Sequence, residues 1–242
     1  LRSALRAIDR RSYPAYKSLA GRWAFGSYVL NIERVQGDPF AAPSQVSVAL
    51  DGRTADFPPS AWQSPWCRTA LEDYLLRRFA RQAARFSRQA HGSGRSGVLS
   101  VTSPGQEVLE RTDCQIRDGA VTLRFEVGFP ANGRTINAPE LEKILFDFLP
   151  VCVEQGLRYA STPKGEVAQV TALAEDQHFL RQELERLGLA AFVADGSVLP
   201  RESGVSDRPM RDAVPFQSPA SMAVTLNLPH RGVLRGMGVA RG

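Results

Sequence analysis

The sequence has few of the residues from which disulfide frameworks, zinc sites or membrane spans are built. Its three cysteines, Cys67, Cys114 and Cys152, are odd in number and far apart, which argues against disulfides and for a reducing compartment. The three histidines have no second His or Cys at ligand spacing, so no metal site is predicted. Because no segment approaches the roughly 18 apolar residues of a membrane helix, and none has the pattern of a signal peptide, we expect a cytoplasmic protein with no membrane partner.

Lysine is also scarce, since only three of the 30 basic residues are lysines and the others are arginines. The net charge is +5 and the isoelectric point is near 9.4. High genomic GC content can produce such a bias by itself, but arginine also suits bidentate contacts with phosphate and stacking on bases. A length of 242 residues, 43 % of them apolar, allows one large domain or two small ones with a real core.

Acidic residues are missing from one long stretch, between Asp73 and Glu107. Ser64 and Pro65 have the residue types of an N-cap and a first helical position, and predict a helix there. Apolar residues recur on one face of that helix, at Leu71, Leu75, Phe79, Ala83, Phe86 and Ala90. Arginines occupy the opposite face, at Arg77, Arg78, Arg81, Arg85 and Arg88. Such a strip suits a nucleic-acid backbone, although a solvated helix face would have the same pattern.

A glycine-rich loop follows the predicted helix and ends at Gly97. Its residues Gly92, Ser93, Gly94, Arg95 and Ser96 would offer backbone N–H groups, hydroxyls and a guanidinium to an anion. The loop spells G-x-G-x-x-G, but a helix precedes it and a predicted strand (98–101) follows, which is the reverse of a dinucleotide-binding turn. The partner motifs of a kinase glycine loop and the lysine of a P-loop are missing. We therefore predict that the strip and the loop form one nucleic-acid-binding surface with no metal and no catalytic residue.

Two other interpretations of this surface remain open. The basic face could belong to a structural or dimerisation module that binds an acidic protein, or the glycine loop could be a sensor of a small anion or nucleotide. No G-x-S-x-G motif occurs, and the acidic residues near 175–185 fit a salt-bridged helix face. The residues by themselves therefore indicate no enzyme.

The periodicity predicts an α+β fold with a mixed sheet and an Arg-rich amphipathic helix in residues 1–160. Helices are predicted over 1–11, from Ser64 to Ala90, over 137–156 with a kink at Pro150, and over 171–187. Strands are predicted over 23–35, 45–50, 98–101, 108–117, 120–127, 190–194 and 222–228, the fourth and fifth joined by an Asp118-Gly119 hairpin. Residues 161–165 read as a linker, residues 166–242 as a second α/β segment, and residues 200–219 as irregular.

Five strings of the sequence resemble the N-terminal region of the predicted ABC-class ATPases, a family that includes a kinetoplastid mitochondrial RNA-editing factor. They occur in the family's order and are Val35–Ser44, His91–Gly97, Pro104–Arg111, Phe192–Arg201 and Ser203–Asp207. The resemblance implies that residues 166–242 contain the first strands of an ABC-type nucleotide-binding domain. It also implies ATP and magnesium as cofactors of the full-length protein, a homodimer, and nucleic acid, RNA in particular, as the partner.

In that family, a segment similar to Gly232–Gly242 leads into a strand and a Walker A loop. The chain ends in the middle of such a pattern, and we expect it to be a piece of a longer protein. The Walker A lysine, the Walker B acid and the ABC signature do not occur in residues 1–242.

The 242-residue chain is therefore expected not to hydrolyse ATP, because it has no residues that bind the phosphates and magnesium in such enzymes. Release of phosphate by highly purified chain should not exceed the rate of buffer alone. Steady turnover at the same specific rate in independent preparations would contradict this prediction, whereas a rate that varies between preparations would indicate a contaminant.

Overall fold

The computed structural model describes residues 1–242, which form two compact units. The first unit comprises residues 1–104 and 108–166, and the second comprises residues 105–107 and 167–242. None of the helices combines the length and the apolar character that a bilayer span requires.

The first unit is built on an antiparallel sheet of six strands. These strands are β1 (Gly21–Ala24), β2 (Val29–Arg34), β3 (Ser44–Leu50), β4 (Leu99–Ser100), β5 (Cys114–Arg117) and β6 (Ala120–Val127). The order is β1-β2-β3-β6, and β4 and β5 both pair with the remaining edge of β6. The α+β class is confirmed, but the predicted mixed sheet is wrong because every pair is antiparallel. Tight turns such as Asp118-Gly119 join consecutive strands, and turns of this kind connect antiparallel neighbours.

Side chains alternate between a buried and a polar face of this sheet. On β6, Leu123 and Phe125 are buried, whereas Arg124 and Glu126 lie on the other face. The partner strand β3 follows the same phase, since Val48 is opposite Leu123 and is fully buried. This period of two is the pattern that the sequence shows over 45–50 and 120–127.

The helices of the first unit include one long helix on the buried face of the sheet. They are α1 (Arg2–Ala7), α2 (Gly52–Ala55), α3 (Pro65–Phe86), α4 (Ala138–Glu142) and α5 (Leu149–Leu157). The ring of Phe79 on α3 packs against that of Phe125, with centroids 5.2 Å apart. The predicted N-cap is confirmed, because the Ser64 hydroxyl accepts a hydrogen bond from the Cys67 N–H at 3.3 Å.

The predicted helix over 137–156 has a distorted middle. Asn137 caps its start as predicted, accepting from the Glu140 N–H at 3.4 Å. Between α4 and α5, residues Lys143–Phe148 form a π-helix that ends two residues before Pro150. Proline has no N–H and its ring crowds the carbonyl four residues earlier, so a wider turn precedes it.

Two predicted strands of the first unit are shorter than expected. Residues 23–35 form a hairpin rather than one strand, because Gly26 has φ +65° and the Phe25 N–H bonds to the Tyr28 carbonyl at 2.8 Å. Residues 108–113 are not a strand. A longer β5 would have to continue along β6 toward Glu126 and Val127, and β4 already pairs with these two residues.

A short hairpin lies in the predicted loop 129–134. Its strands are β7 (Ala131–Asn132) and β8 (Thr135–Ile136). An isolated bridge joins Thr135 to Ser12, and the Tyr13 N–H bonds to the Arg134 carbonyl at 2.9 Å. This hairpin therefore connects the N-terminal segment to the rest of the first unit.

The second unit packs one helix beside small antiparallel sheets. Its elements are α6 (Glu166–Arg186), β9 (Leu189–Ala194), β10 (Arg201–Ser203), β11 (Ser206–Pro209), β12 (Ala223–Leu228) and β13 (Gly232–Ala240). The three-stranded sheet has the order β12-β13-β9. Its core contains Leu226, Leu228 and Leu234, against which Phe179 and Leu180 of α6 pack.

Three predictions for the second unit need correction. The helix α6 begins at Glu166, five residues before the predicted start at Thr171. The apolar run over 190–194 predicts a buried strand, but β9 is only partly buried because it is an edge strand of its sheet. Residues 200–219 are not wholly irregular, since β10 and β11 form a hairpin.

Residues 1–166 are expected to fold without the rest of the chain, and residues 1–160, the predicted boundary, should fold less stably. The shorter piece lacks the Ser161 carbonyl, which accepts from Arg78, and the Glu166 carboxylate, which accepts from the Tyr74 hydroxyl. Loss of these acceptors should lower stability by about 1–3 kcal/mol, which calorimetry would record as a lower melting temperature. A non-cooperative melt of residues 1–166 would contradict the prediction.

Candidate nucleic-acid interface

The predicted arginine strip divides into a buried part and an exposed part. Arg78 is only 8 % exposed. Its guanidinium donates to the Gln155 carbonyl, to the Ser161 carbonyl at 2.7 Å and to the Tyr74 hydroxyl at 3.3 Å. The carbonyls at the C-terminus of a helix have no intrahelical partner, and Arg78 satisfies one of those of α5. Its inclusion in an exposed strip is therefore wrong, because position 78 of α3 faces α5.

Arg77 is also held inside the first unit. Its Nε–H bonds to a carboxylate oxygen of Asp73 at 2.6 Å, and Nη1 donates to the Pro104 carbonyl at 3.2 Å. Asp73 is itself buried and also pairs with Arg111 at 3.0 Å. Arg77 is therefore engaged with a carboxylate, which it shares with Arg111, and this corrects the prediction that it belongs to a strip without acidic partners.

Three arginines of the strip remain exposed at the C-terminal end of α3: Arg81, Arg85 and Arg88. Arg85 donates to the amide oxygen of Gln82 at 2.8 Å. The helix ends at Phe86, so Arg88 lies beyond it, with φ +65°, and not on the helical face as predicted. The partial negative charge at a helix C-terminus favours cations in this position, so the helix itself stabilises part of this charge.

The glycine loop is bonded to its neighbours through most of its backbone N–H groups. Ser93 donates to the Ala131 carbonyl at 2.7 Å, Arg95 to the Pro39 carbonyl at 2.7 Å, and Gly97 to the Gly128 carbonyl at 2.9 Å. The Ser96 N–H bonds within the loop, to the Ser93 carbonyl at 3.2 Å. The loop therefore does not present a row of free amides to an anion, which corrects the prediction made from its glycines.

Both loop hydroxyls are also occupied. The Ser93 hydroxyl accepts from the Gly133 N–H at 2.9 Å. The Ser96 hydroxyl donates to the Ser93 carbonyl at 2.5 Å and accepts from the Ala131 N–H at 3.1 Å, and Ser96 is only 8 % exposed. These serines thus hold the loop on the β7–β8 hairpin.

Close packing explains why glycines occur in this loop. A Cβ on Gly94 would lie 2.3 Å from the Pro39 carbonyl oxygen, and one on Gly97 would lie 1.9 Å from the Ala90 carbonyl oxygen. Both residues have positive φ, +64° and +74°, which side chains other than glycine rarely adopt. The G-x-G-x-x-G spacing therefore serves the fold of the loop rather than phosphate binding.

The loop is also tied to α4 at its start. The His91 N–H donates to the Glu140 carboxylate at 2.8 Å, and Lys143 pairs with the same carboxylate. Burial alone would raise the pKa of Glu140, but the hydrogen bonds from Lys143 and His91 outweigh it and hold that pKa below its ordinary value. The carboxylate is therefore charged and already paired at neutral pH.

The fold adds exposed arginines that a helical pattern cannot reveal. Arg11 and Arg134 are both exposed. Their backbone segments lie side by side, because the N–H of Ile136, two residues after Arg134, bonds to the Arg11 carbonyl at 2.9 Å. The hairpin that carries Arg134 also carries Gly133, which bonds to Ser93 of the glycine loop. These residues are more than a hundred positions apart in the sequence, so only their pairing in the fold indicates that they belong to one region.

We call Arg81, Arg85, Arg88 and Arg95 the arginine surface. All four side chains are exposed, and none forms an ion pair with a carboxylate. Arg88 and Arg95 flank the closed base of the loop, where the Arg88 N–H bonds to the Gly97 carbonyl at 2.6 Å. The surface therefore presents unpaired cations from two segments that the fold holds together.

One cleft on the polar face of the sheet has the opposite charge character. Its volume is about 470 Å³, and three carboxylates, of Glu33, Asp113 and Glu126, line it together with the cation Arg124. Excess negative charge disfavours phosphate there. The cleft therefore differs in charge from the arginine surface.

The three cysteines of the first unit are not placed as reactive nucleophiles. Cys67, Cys114 and Cys152 are buried and free. Burial raises the pKa of the Cys114 thiol far above its ordinary value and that of Cys152 to about 12. Both thiols are therefore protonated at neutral pH and unreactive. No group of three or more His, Cys, Asp or Glu side chains could hold a metal ion.

Comparison with known families identifies the class of protein to which these units belong. Residues 1–160 match the family described as the N-terminal region of ATPases of the ABC class. Residues 163–242 match the P-loop domain of ABC ATPases. The chain belongs to the ABC-class ATPase family. No curated protein matches the chain.

The residues present do not form a nucleotide site by themselves. No G-x-x-x-x-G-K-[ST] motif occurs in residues 1–242, and its three lysines are Lys17, Lys143 and Lys164. No cluster of acidic side chains is suited to magnesium. Residues 1–242 therefore do not contain the groups that would hold ATP and magnesium, although the family is one of ATPases.

Replacement of Arg78 by Gln is expected to destabilise the first unit by about 2 kcal/mol, because it removes charge-assisted hydrogen bonds to the part-buried carbonyls of Gln155 and Ser161. Part of the stabilisation by Arg78 is already offset by its Nε, which is buried without a partner. Urea denaturation should show this loss for R78Q and a change within about 0.5 kcal/mol for R81Q, which alters an exposed residue of the same helix. Equal stability of the two variants would contradict the assignment of Arg78 as a structural residue.

Proposed function

We propose that the first unit binds nucleic acid, with RNA favoured, as the N-terminal part of an ABC-class ATPase. The observation that supports this most directly is the arginine surface, whose four guanidinium groups are exposed and unpaired. The stretch from 74 to 106 contains no carboxylate of its own that could neutralise them. Several unpaired cations in one region suit a ligand that carries regularly spaced negative charges.

The arginine side chains, rather than the backbone, would make the contacts to phosphate. The C-terminal end of α3 carries partial negative charge, which disfavours phosphate near its carbonyls. Most loop amides are engaged within the protein, and among the loop residues only Gly92 and Gly94 have N–H groups without a partner in the structure. The guanidinium, with its donors in a planar fork, is suited to phosphate oxygens.

The glycine loop would act as a rigid support for Arg95. Ser93 and Ser96 fix the loop to the β7–β8 hairpin, and Gly94 allows the contact with Pro39. A fixed support lowers the entropic cost of ordering a side chain on binding. Contacts with phosphates carry no sequence information, so little sequence specificity is expected.

In the complete protein this binding would be coupled to ATP. The strands of residues 166–242 would be the first strands of an ABC-type nucleotide-binding domain, an assignment that the P-loop family match supports. We propose that the complete protein is a cytoplasmic homodimer that uses ATP and magnesium, and membership of the ABC-class ATPase family supports the use of ATP.

Replacement of Arg81, Arg85 and Arg88 by Gln should weaken binding to all nucleic acids alike. The change removes three exposed charges, and Gln is a good helix former at positions 81 and 85, the two that lie on α3. In a salt titration, the slope of log affinity on log salt should decrease by roughly two to three units. Melting temperatures should stay close to that of the wild type.

A matched control removes three other exposed arginines of the first unit, Arg22, Arg53 and Arg117, which also lack ion pairs. This control variant has the same net charge as the first one and should keep most of the affinity. If both variants lose affinity equally, only the total charge matters and the arginine surface is not a site. Unchanged affinity in the first variant would mean that these arginines are simply solvated. If the wild-type chain binds an acidic protein but no nucleic acid, a protein partner would be favoured instead.

A further inference from the structure

The loop between β2 and β3 carries the most exposed aromatic side chain of the protein. Phe40 is 62 % exposed, compared with 40 % for Tyr159 and 37 % for Trp66. Single exposed apolar residues are common on protein surfaces, so exposure alone assigns no role. The position of Phe40 and the rigidity of its loop are the features that distinguish it.

Phe40 lies directly beside the arginine surface. A Cβ on Gly94 would be 3.0 Å from Cδ1 of the Phe40 ring. The residue before it, Pro39, accepts the Arg95 N–H at 2.7 Å. The exposed ring and the exposed guanidinium of Arg95 are therefore carried by two backbone segments joined through one hydrogen bond.

The loop that carries Phe40 is fixed at both ends. Asp38 accepts from the Phe40 N–H at 2.8 Å and from the Ala41 N–H at 3.2 Å, which closes a tight turn. Gln36, only 2 % exposed, donates to the Ala41 carbonyl at 3.1 Å and accepts from the Phe129 N–H at 3.2 Å. The ring is thus held toward solvent by a buried network rather than by a flexible loop.

We infer that Phe40 is a stacking platform for an unpaired base, so that the ligand of the arginine surface is a single strand. The inference rests on the proposed nucleic-acid binding and specifies its substrate class. One nucleotide can place its phosphate on Arg95 and its base on the adjacent ring. In a duplex the bases are already stacked and are inaccessible to such a ring, whereas a single strand offers their faces to aromatic side chains.

The test compares F40A, F40L and F40W with the wild-type chain. The ligands are a labelled RNA single strand of about 12 nucleotides and the same strand annealed to its complement. F40A and F40L should weaken single-strand binding at least about fivefold, in keeping with the loss of one stacked base. F40W should retain the affinity, because it keeps an aromatic face on which a base can stack. F40L keeps only the apolar character and therefore separates stacking from simple hydrophobic contact. Duplex binding and the salt slope should not change in any of the three, since no charge is altered.

A second readout is the tryptophan fluorescence of F40W. Stacking of a base on the new indole should quench its emission beyond the change seen in the wild type, whose three tryptophans provide the background. Equal single-strand affinity of F40A and the wild type would overturn the inference, as would the absence of extra quenching in F40W. If R81Q/R85Q/R88Q reduces binding and F40A does not, only the stacking role fails. If the wild-type chain binds no nucleic acid, the proposed function fails with it.

Discussion

The packing of α3 against the sheet fixes where the arginines of the first unit point. Phe79 is fully buried and its ring packs on that of Phe125 of β6. Once this contact sets the rotation of the helix, Arg78 must face α5, and Arg81 and Arg85 must face solvent. The division of one basic sequence into a structural arginine and an exposed surface therefore depends on the buried apolar face of α3, of which Leu71, Leu75 and Phe79 are fully buried members.

The glycine loop continues this constraint beyond the end of the helix. Its amides and hydroxyls bond to Pro39, Gly128 and the β7–β8 hairpin, which come from three other parts of the chain. The loop consequently joins the β2–β3 loop to the end of α3 and holds Arg95 beside Phe40. A loop whose donors are all free could cradle a phosphate, but this one uses its donors to hold other groups in place.

Charge separation completes this arrangement within the first unit. The arginine surface has no carboxylate partner, while the cleft on the polar face of the sheet contains three carboxylates. Under the proposed function, such separation would direct an anionic ligand to one region of the unit and away from another. It also agrees with a module that binds along a polymer rather than enclosing a small molecule in a pocket.

Local patterns in the sequence determined the antiparallel hairpin at Asp118-Gly119, the cap at Ser64, the buried stripe of α3 and the family to which the chain belongs. Each depends on residues close together in the chain, whose spacing reflects one turn or one strand. The tertiary structure alone decided that Arg78 is buried, that the loop amides are engaged and that Phe40 lies beside Arg95. Those facts depend on partners dozens of residues away, such as Gln155, Ala131 and Pro39, and no local period encodes them.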